Sequence, residues 1–243
     1  MLILQRVKNQ ARAVKCQANL HQWGLIFSAY TTGNDGRFWP LGYTHLWYNV
    51  LEAWRYEDLC FCPMAVKVNP NQQRSDSGDL FSIGSKFTAW EINWNVPPGP
   101  RPDGKPDRGS YGLNMWITDS IYYNVEQQFF PKRPANVPVF MDCCLPDDAP
   151  RGDYDYEHAP PEYDDAGPCL IIVFPDGISS FCINRHDGGI NVLFMDWSVR
   201  KVGLKELWTL KWHREFNTKN KWTRAGGVRP TDWPEWMRKF KDY

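Results

Sequence analysis

Residues 4–30 read LQRVKNQARAVKCQANLHQWGLIFSAY, and this stretch decides the fold. Leu4, Val7, Ala11, Val14, Ala18 and Leu25 recur at spacings of three, four and seven, while Gln5, Arg6, Lys8, Arg12 and Lys15 fill the other face. An apolar stripe on one side predicts an amphipathic helix running to about residue 30. Gly24 inside it is expected to loosen it locally. Thr31-Thr32-Gly33-Asn34-Asp35-Gly36 supplies the turn chemistry that ends it. So narrow a stripe seldom buries a helix within its own domain, so part of it should meet another helix or protrude.

Beyond this helix the chain is aromatic and rich in turns. Leu46, Val50, Leu51 and Trp54 have helical spacing and predict a second short helix, closed by Cys62-Pro63. Residues 65–79 read as polar loop, and residues 87–94 alternate as a strand. Residues 96–110, with five prolines and three glycines, read as an exposed loop. Strands are expected over 111–117, 137–141 and 169–174, the last a continuous apolar run. A turn then leads into 178–183, and 190–195 with 198–202 make a hairpin. Residues 204–216 return to helical spacing, and Asp232 with Glu235 suggests a capping box for a last short helix. The expected class is α+β: a long N-terminal helix packed on an antiparallel, hairpin-rich sheet with loop-rich insertions. Its parts are the helix (1–30), the head (31–203) and a basic, Trp-rich helical tail packed on the head (204–243).

Composition narrows the function classes. The 243 residues are 42% hydrophobic and 23% charged, which excludes a disordered or collagen-like chain, and 19 prolines with 18 glycines disfavour an all-helical one. Formal net charge is zero, yet residues 142–165 carry nine acidic groups against Arg151 alone, and residues 200–243 carry twelve basic against five acidic. The acidic block argues against a dedicated nucleic-acid binder. Segregated charge suits packing between copies of the chain or salt bridges within one. Of the seven cysteines, four fall in two clusters, Cys60 with Cys62 and Cys143 with Cys144. Their spacing disfavours a four-cysteine zinc site. In an oxidising compartment a disulfide could join the two clusters, with buried thiols as the equal alternative. No window reaches the roughly 18 apolar residues of a membrane-spanning helix.

Two segments resemble known proteins. Residues 11–39 are similar to the amphipathic half of the first helix, and the turn after it, in type IV pilin-like proteins of the type II secretion pseudopilin kind. Residues 185–202, RHDGGINVLFMDWSVRKV, resemble the C-terminal signature of a large group of prepilin-type proteins common in planctomycetes, a His, nine residues, then Asp-Gly. His186 and Asp196 hold that spacing, and Gly188, Gly189 and Asn191 also match, as do residues 109–114 and Cys62-Pro63. Two departures stand out. Asp-Gly is here Asp196-Trp197, and Trp adopts a positive φ poorly, so that turn is expected to be wider or of another type. The family's peptidase site, methylated N-terminal Phe, Glu and apolar segment of about twenty residues are also not present. Met1-Leu2-Ile3-Leu4 would align with the end of that segment, which the resemblance places upstream.

The resemblance implies a structural subunit of a type II secretion or type IV pilus-like filament at the cell envelope. The subunit would sit at the periplasmic face of the inner membrane or in an extracellular filament. Its partners would be further copies of itself, other pilin-like chains and the inner membrane. It implies no enzyme, and no phosphate loop, His-Glu-x-x-His or Gly-x-Ser-x-Gly motif is found. His186 with Asp187 reads better as a structural turn than as a catalytic or metal pair. Pseudopilins often hold Ca²⁺ in a C-terminal loop, which makes Asp142, Asp147 and Asp148 candidate ligands, with a solvated loop as the plain alternative. Abundant Trp with carboxylates offers a second class, a secreted carbohydrate-binding module with exposed rings, or more remotely a glycoside hydrolase.

Overall fold

A computed structural model describes residues 2–41, 47–74, 80–93, 104–120, 133–148, 159–164 and 177–243. The expected strand at 169–174, Trp94 and, of the acidic block, Asp153, Asp155, Glu157 and Asp165 lie outside the described residues. The fold is mixed α and β, as expected. Helix α1 spans Leu2–Gly33 without a break at Gly24. Its end is set by Asp35 and Gly36, both at positive φ, with the Gly36 N–H donating to the Thr31 carbonyl at 2.8 Å. Among the described residues, no helix is long and apolar enough to cross a membrane.

The strands are β1 (Pro40–Leu41), β2 (Lys67–Val68), β3 (Gln73–Arg74), β4 (Leu80–Ser82), β5 (Thr88–Asn93), β6 (Asp107–Gly109), β7 (Tyr111–Asn114), β8 (Asp119–Ser120), β9 (Pro138–Asp142), β10 (Asp147–Asp148), β11 (Gly189–Phe194) and β12 (Val199–Gly203). The main sheet runs β10-β7-β9-β11-β12, antiparallel except for the β10/β7 edge. A smaller sheet, β2-β5-β4-β3 with β6 on β5, flanks it. Part of the expected loop at 96–110 is therefore strand β6. The second helix is only α2 (Trp47–Val50), followed by 3-10 turns over Ala53–Cys60.

The main sheet is covered on both faces. Every residue of β11 is buried, and its alternation divides the core. Leu193 joins the layer under α1, with Trp23, Phe27, Trp47 and Phe140. Ile190, Val192 and Phe194 join the opposite layer, with Trp208, Trp212 and Trp233 of the C-terminal segment.

α1 meets the sheet by a different face from the one expected. Leu4, Val7, Ala11, Val14, Ala18 and Leu25 are exposed, whereas Cys16, Leu20, Trp23, Phe27 and Thr31 are buried. The burial energy of two large aromatic rings outweighs that of small aliphatics, because the gain scales with apolar area removed from water. Gly24 brings the helix onto the sheet: a Cβ there would lie 2.9 Å from Leu193 Cδ1.

Three further expectations change. Residues 178–183 are not a strand, because the Cys182 N–H donates to the Ile178 carbonyl at 3.0 Å and closes a helical turn at Gly177–Ser180. Residues 204–216 stop at the 3-10 segment Leu204–Thr209. Trp212 Nε1 donates to the Leu207 carbonyl at 2.8 Å and Asn220 Nδ2 to that of Trp208 at 2.9 Å, taking acceptors an α-helix would need. In the tail Asp232 caps the 3-10 turn Pro230–Asp232 by accepting from the Arg229 N–H at 2.8 Å, and the expected last helix is a single 3-10 turn, Glu235–Met237, that begins after Pro234.

Candidate functional site

Four elements deliver ionisable side chains to one buried point. Cys16 is buried on α1, one turn before Leu20. Cys62 follows the 3-10 turns, its N–H donating to Ser110 Oγ at 2.6 Å. Asp142 ends β9. His186 stands at the mouth of a tight turn whose central residues, Asp187 and Gly188, both have positive φ, as a type I′ turn requires. The turn is closed by the His186 N–H donating to the Gly189 carbonyl at 2.9 Å. Asp-Gly turn chemistry thus stands at the start of β11.

The ligand-type atoms of Cys16, Cys62, Asp142 and His186 lie within 4.8 Å of one another, and all four residues are buried. His186 Nε2 is 3.1 Å from Asp142 Oδ2 and 3.3 Å from Cys62 Sγ. Cys16 Sγ is 3.7 Å from each oxygen of Asp142 and accepts from the Tyr111 hydroxyl at 3.2 Å. The Asn191 N–H donates to Asp142 Oδ2 at 2.8 Å. Arg185, with no exposed side-chain surface, meets Asp142 Oδ1 at 3.0 Å. Its guanidinium also donates to the carbonyls of Ser110 at 2.6 Å and Ser85 at 2.7 Å.

Charge neighbours override burial at Asp142 and His186. Burial would raise the Asp142 pKa, but His186, Arg185 and the Asn191 N–H hold it far below the carboxylate range. Burial opposes the imidazolium, yet Asp142 lifts His186 to about 9. Both thiols are raised by burial. The bond to Cys62 and the nearby imidazolium bring Cys16 down to about 7, while Cys62 stays well above the ordinary thiol range.

The trio of Cys62, His186 and Asp142 is not a nucleophilic relay. In such a relay the acid orients one ring nitrogen and the nucleophile faces the other. Here Nε2 alone meets both partners, at 3.1 and 3.3 Å. The geometry is that of a clamp or a metal centre.

Of the residues expected from sequence, His186, Gly188, Gly189 and Asn191 build the site. Asn191 also ties β11 to α1, donating to the Ala13 carbonyl at 3.3 Å and accepting from Gln17 Nε2 at 3.1 Å. Asp196 does not join them. It lies exposed at the other end of β11, accepting from the Ser198 N–H at 3.0 Å in a three-residue loop. That loop is wider than a two-residue turn, as expected, and Trp197 still takes φ 64.

The calcium expectation gains no support, and of the two cysteine alternatives the described residues show thiols. Asp142 faces Arg185, His186 and two thiols, a poor setting for an ion that needs six to eight oxygens. Asp147 and Asp148 pair as β10 with β7. Cys60, Cys62, Cys143 and Cys144 are buried and joined by no disulfide, as are Cys16 and Cys182. Their sulfurs turn to different partners: Cys60 to the Ala53 carbonyl, Cys143 to that of Ser180 and Cys62 to His186. The sequence reading missed Cys16, Tyr111 and Arg185. Cys16 was legible as the first member of the row Cys16, Leu20, Trp23, Phe27; Arg185 carried no local signal.

No family model, no curated protein and no solved structure matches this chain.

Proposed function

We propose that this chain is a structural, pilin-like subunit, a pseudopilin of a type II secretion or type IV pilus-like filament at the bacterial envelope. The observation that carries the reading is the division of α1. One face of its second half is buried on the main sheet, while its first half presents Ile3, Leu4, Val7 and Val14 at 82%, 60%, 53% and 65% exposure. At about 1.5 Å per residue the outer half of such a helix reaches roughly 20 Å. Exposed apolar side chains on a helix call for a partner surface. In this reading the partners are the same helices of neighbouring subunits, other pilin-like chains and, through an upstream apolar segment, the inner membrane. Arg6, Lys8, Arg12 and Lys15 flank the row without an acidic residue, and the acidic block of a neighbouring copy complements them.

The test is cysteine cross-linking in cells that make the chain from its full reading frame. Val7→Cys and Val14→Cys should give ladders with a bis-maleimide, and Val14→Glu should abolish them without changing the melting of the isolated chain. Monomer alone in every variant, or a frame with no upstream apolar segment, would end this proposal. The carbohydrate-binding alternative draws no support from Trp23, Trp39, Trp47, Trp90, Trp208, Trp212 and Trp233, which are buried in the core, while Trp54, Trp116, Trp197, Trp222 and Trp236 are half-buried.

A further inference from the structure

We infer that Cys16, Cys62, Asp142 and His186 form a tetrahedral site for a zinc ion that pins the N-terminal helix to the head. The first argument is distance. With Zn–S of about 2.3 Å and Zn–N and Zn–O of about 2.0–2.1 Å, a tetrahedron sets a thiolate roughly 3.5 Å from an imidazole nitrogen or carboxylate oxygen, and nitrogen roughly 3.3 Å from oxygen. The corresponding separations are 3.3 Å for Cys62 to His186, 3.7 Å for Cys16 to Asp142 and 3.1 Å for His186 to Asp142. Three independent pairs thus come within a few tenths of an ångström of the zinc tetrahedron.

The second argument is direction. Nε2 of His186 faces a sulfur and an oxygen at once. One N–H proton cannot lie along both lines, whereas a cation between the three atoms serves all of them. The third argument is charge. Two thiolates and a carboxylate carry −3, and a zinc ion with the buried Arg185 guanidinium carries +3. The occupied site is neutral, as a fully buried one must be. Two sulfurs, one nitrogen and one oxygen are a zinc donor set and exclude the oxygen-rich cages of calcium or magnesium.

The groups around the ligands fit this role. Asp142 Oδ1 is taken by Arg185, which leaves Oδ2, with the Asn191 N–H, for the metal. The Tyr111 hydroxyl orients the Cys16 sulfur. Outer hydrogen bonds of this kind fix metal ligands in place. The ligands belong to α1, the loop before Pro63, β9 and the turn before β11, so one ion joins segments distant in the chain. The inference stands on these contacts and does not depend on filament assembly.

The test uses the full chain, purified under reducing conditions without chelator. Elemental analysis should find one equivalent of zinc. Replacement by Co²⁺ should give the intense visible bands of a tetrahedral site with thiolate charge transfer. Cys62→Ser should lose those bands, Cys182→Ser should keep them, and Tyr111→Phe should weaken zinc binding about 10- to 100-fold while remaining folded by circular dichroism. Wild-type chain that takes up well under one equivalent from free Zn²⁺ overturns the inference. So does a cobalt spectrum unchanged in Cys62→Ser, or a Cys16–Cys62 disulfide in the mass spectrum of chain kept under reductant. Because the decisive measurement is on the unaltered chain, a variant that fails to fold does not shield it.

Discussion

At the scale of single residues, Asp142 holds the most. Its carboxylate answers Arg185 and His186 inside the core and accepts the Asn191 N–H. Asp142→Asn keeps the shape but leaves two buried cations facing an amide. With chelator present, so that only the protein's own groups count, this substitution should cost about 3–5 kcal/mol in urea unfolding. Gly188 is a smaller lever of the same kind. It has φ 81 and lies under Phe240, whose ring carbons would sit 3.0 Å from an added Cβ. Gly188→Val should therefore destabilise by about 1–3 kcal/mol, with loss of the Cys62–His186 contact seen as a change in the His186 imidazole NMR shifts. The His-Asp-Gly-Gly run was legible as a turn, because a positive φ at two successive positions is a local demand met by local residues. Arg185 beside it was not, since its partners lie in segments dozens of residues away.

At the scale of elements, α1 shows where periodicity misleads. The chain announces a helix plainly, and a helix forms, yet the row of aliphatics chosen from spacing faces outward. Leu4→Ser and Val14→Ser should change monomer stability by no more than about 0.5 kcal/mol, as exposed substitutions do. Trp23→Ala should cost about 3–5 kcal/mol, because the ring is fully buried against Trp47 and Phe140. Equal losses at Val14 and Trp23 would contradict the described packing. Gly24 gives a graded test at the same interface. Gly24→Ala meets only the end of Leu193 and gains about 1 kcal/mol of helix propensity, so the net should be near zero. Gly24→Leu has no room and should cost about 1–3 kcal/mol in thermal unfolding.

At the scale of the whole molecule, the sheet is a partition between two aromatic layers, one under the helix and one under the C-terminal segment. The C-terminal layer has no α-helix among the described residues and is held by side chains that take backbone carbonyls, and by Lys205. That ammonium, fully buried on its side chain, meets Asp242 at 2.7 Å and lies 4.8 Å from the Trp233 ring centre. If zinc pins the helix to this body, free Zn²⁺ at a hundred times its dissociation constant should add about 2.7 kcal/mol. For a chain of this size that is a rise of about 5–10 °C in melting temperature. Scanning calorimetry with Zn²⁺ and with chelator reads the difference directly, and superimposable traces would deny the pin.

What the sequence by itself determined is what neighbours along the chain can enforce: the long helix and its stop at residues 31–36, the β11–β12 hairpin, the tight turn at 187–188 and the α+β class. Those features depend on periods of two to four residues and on residues suited to positive φ. Only the tertiary structure decided which helix face is buried, how the C-terminal segment folds, and that Cys16, Cys62, Asp142 and His186 meet. The reason is range. Contacts such as Cys62 with His186 and Cys16 with Asp142 join residues more than a hundred positions apart. Sheet register and competition for buried area set such contacts, and no local pattern carries either.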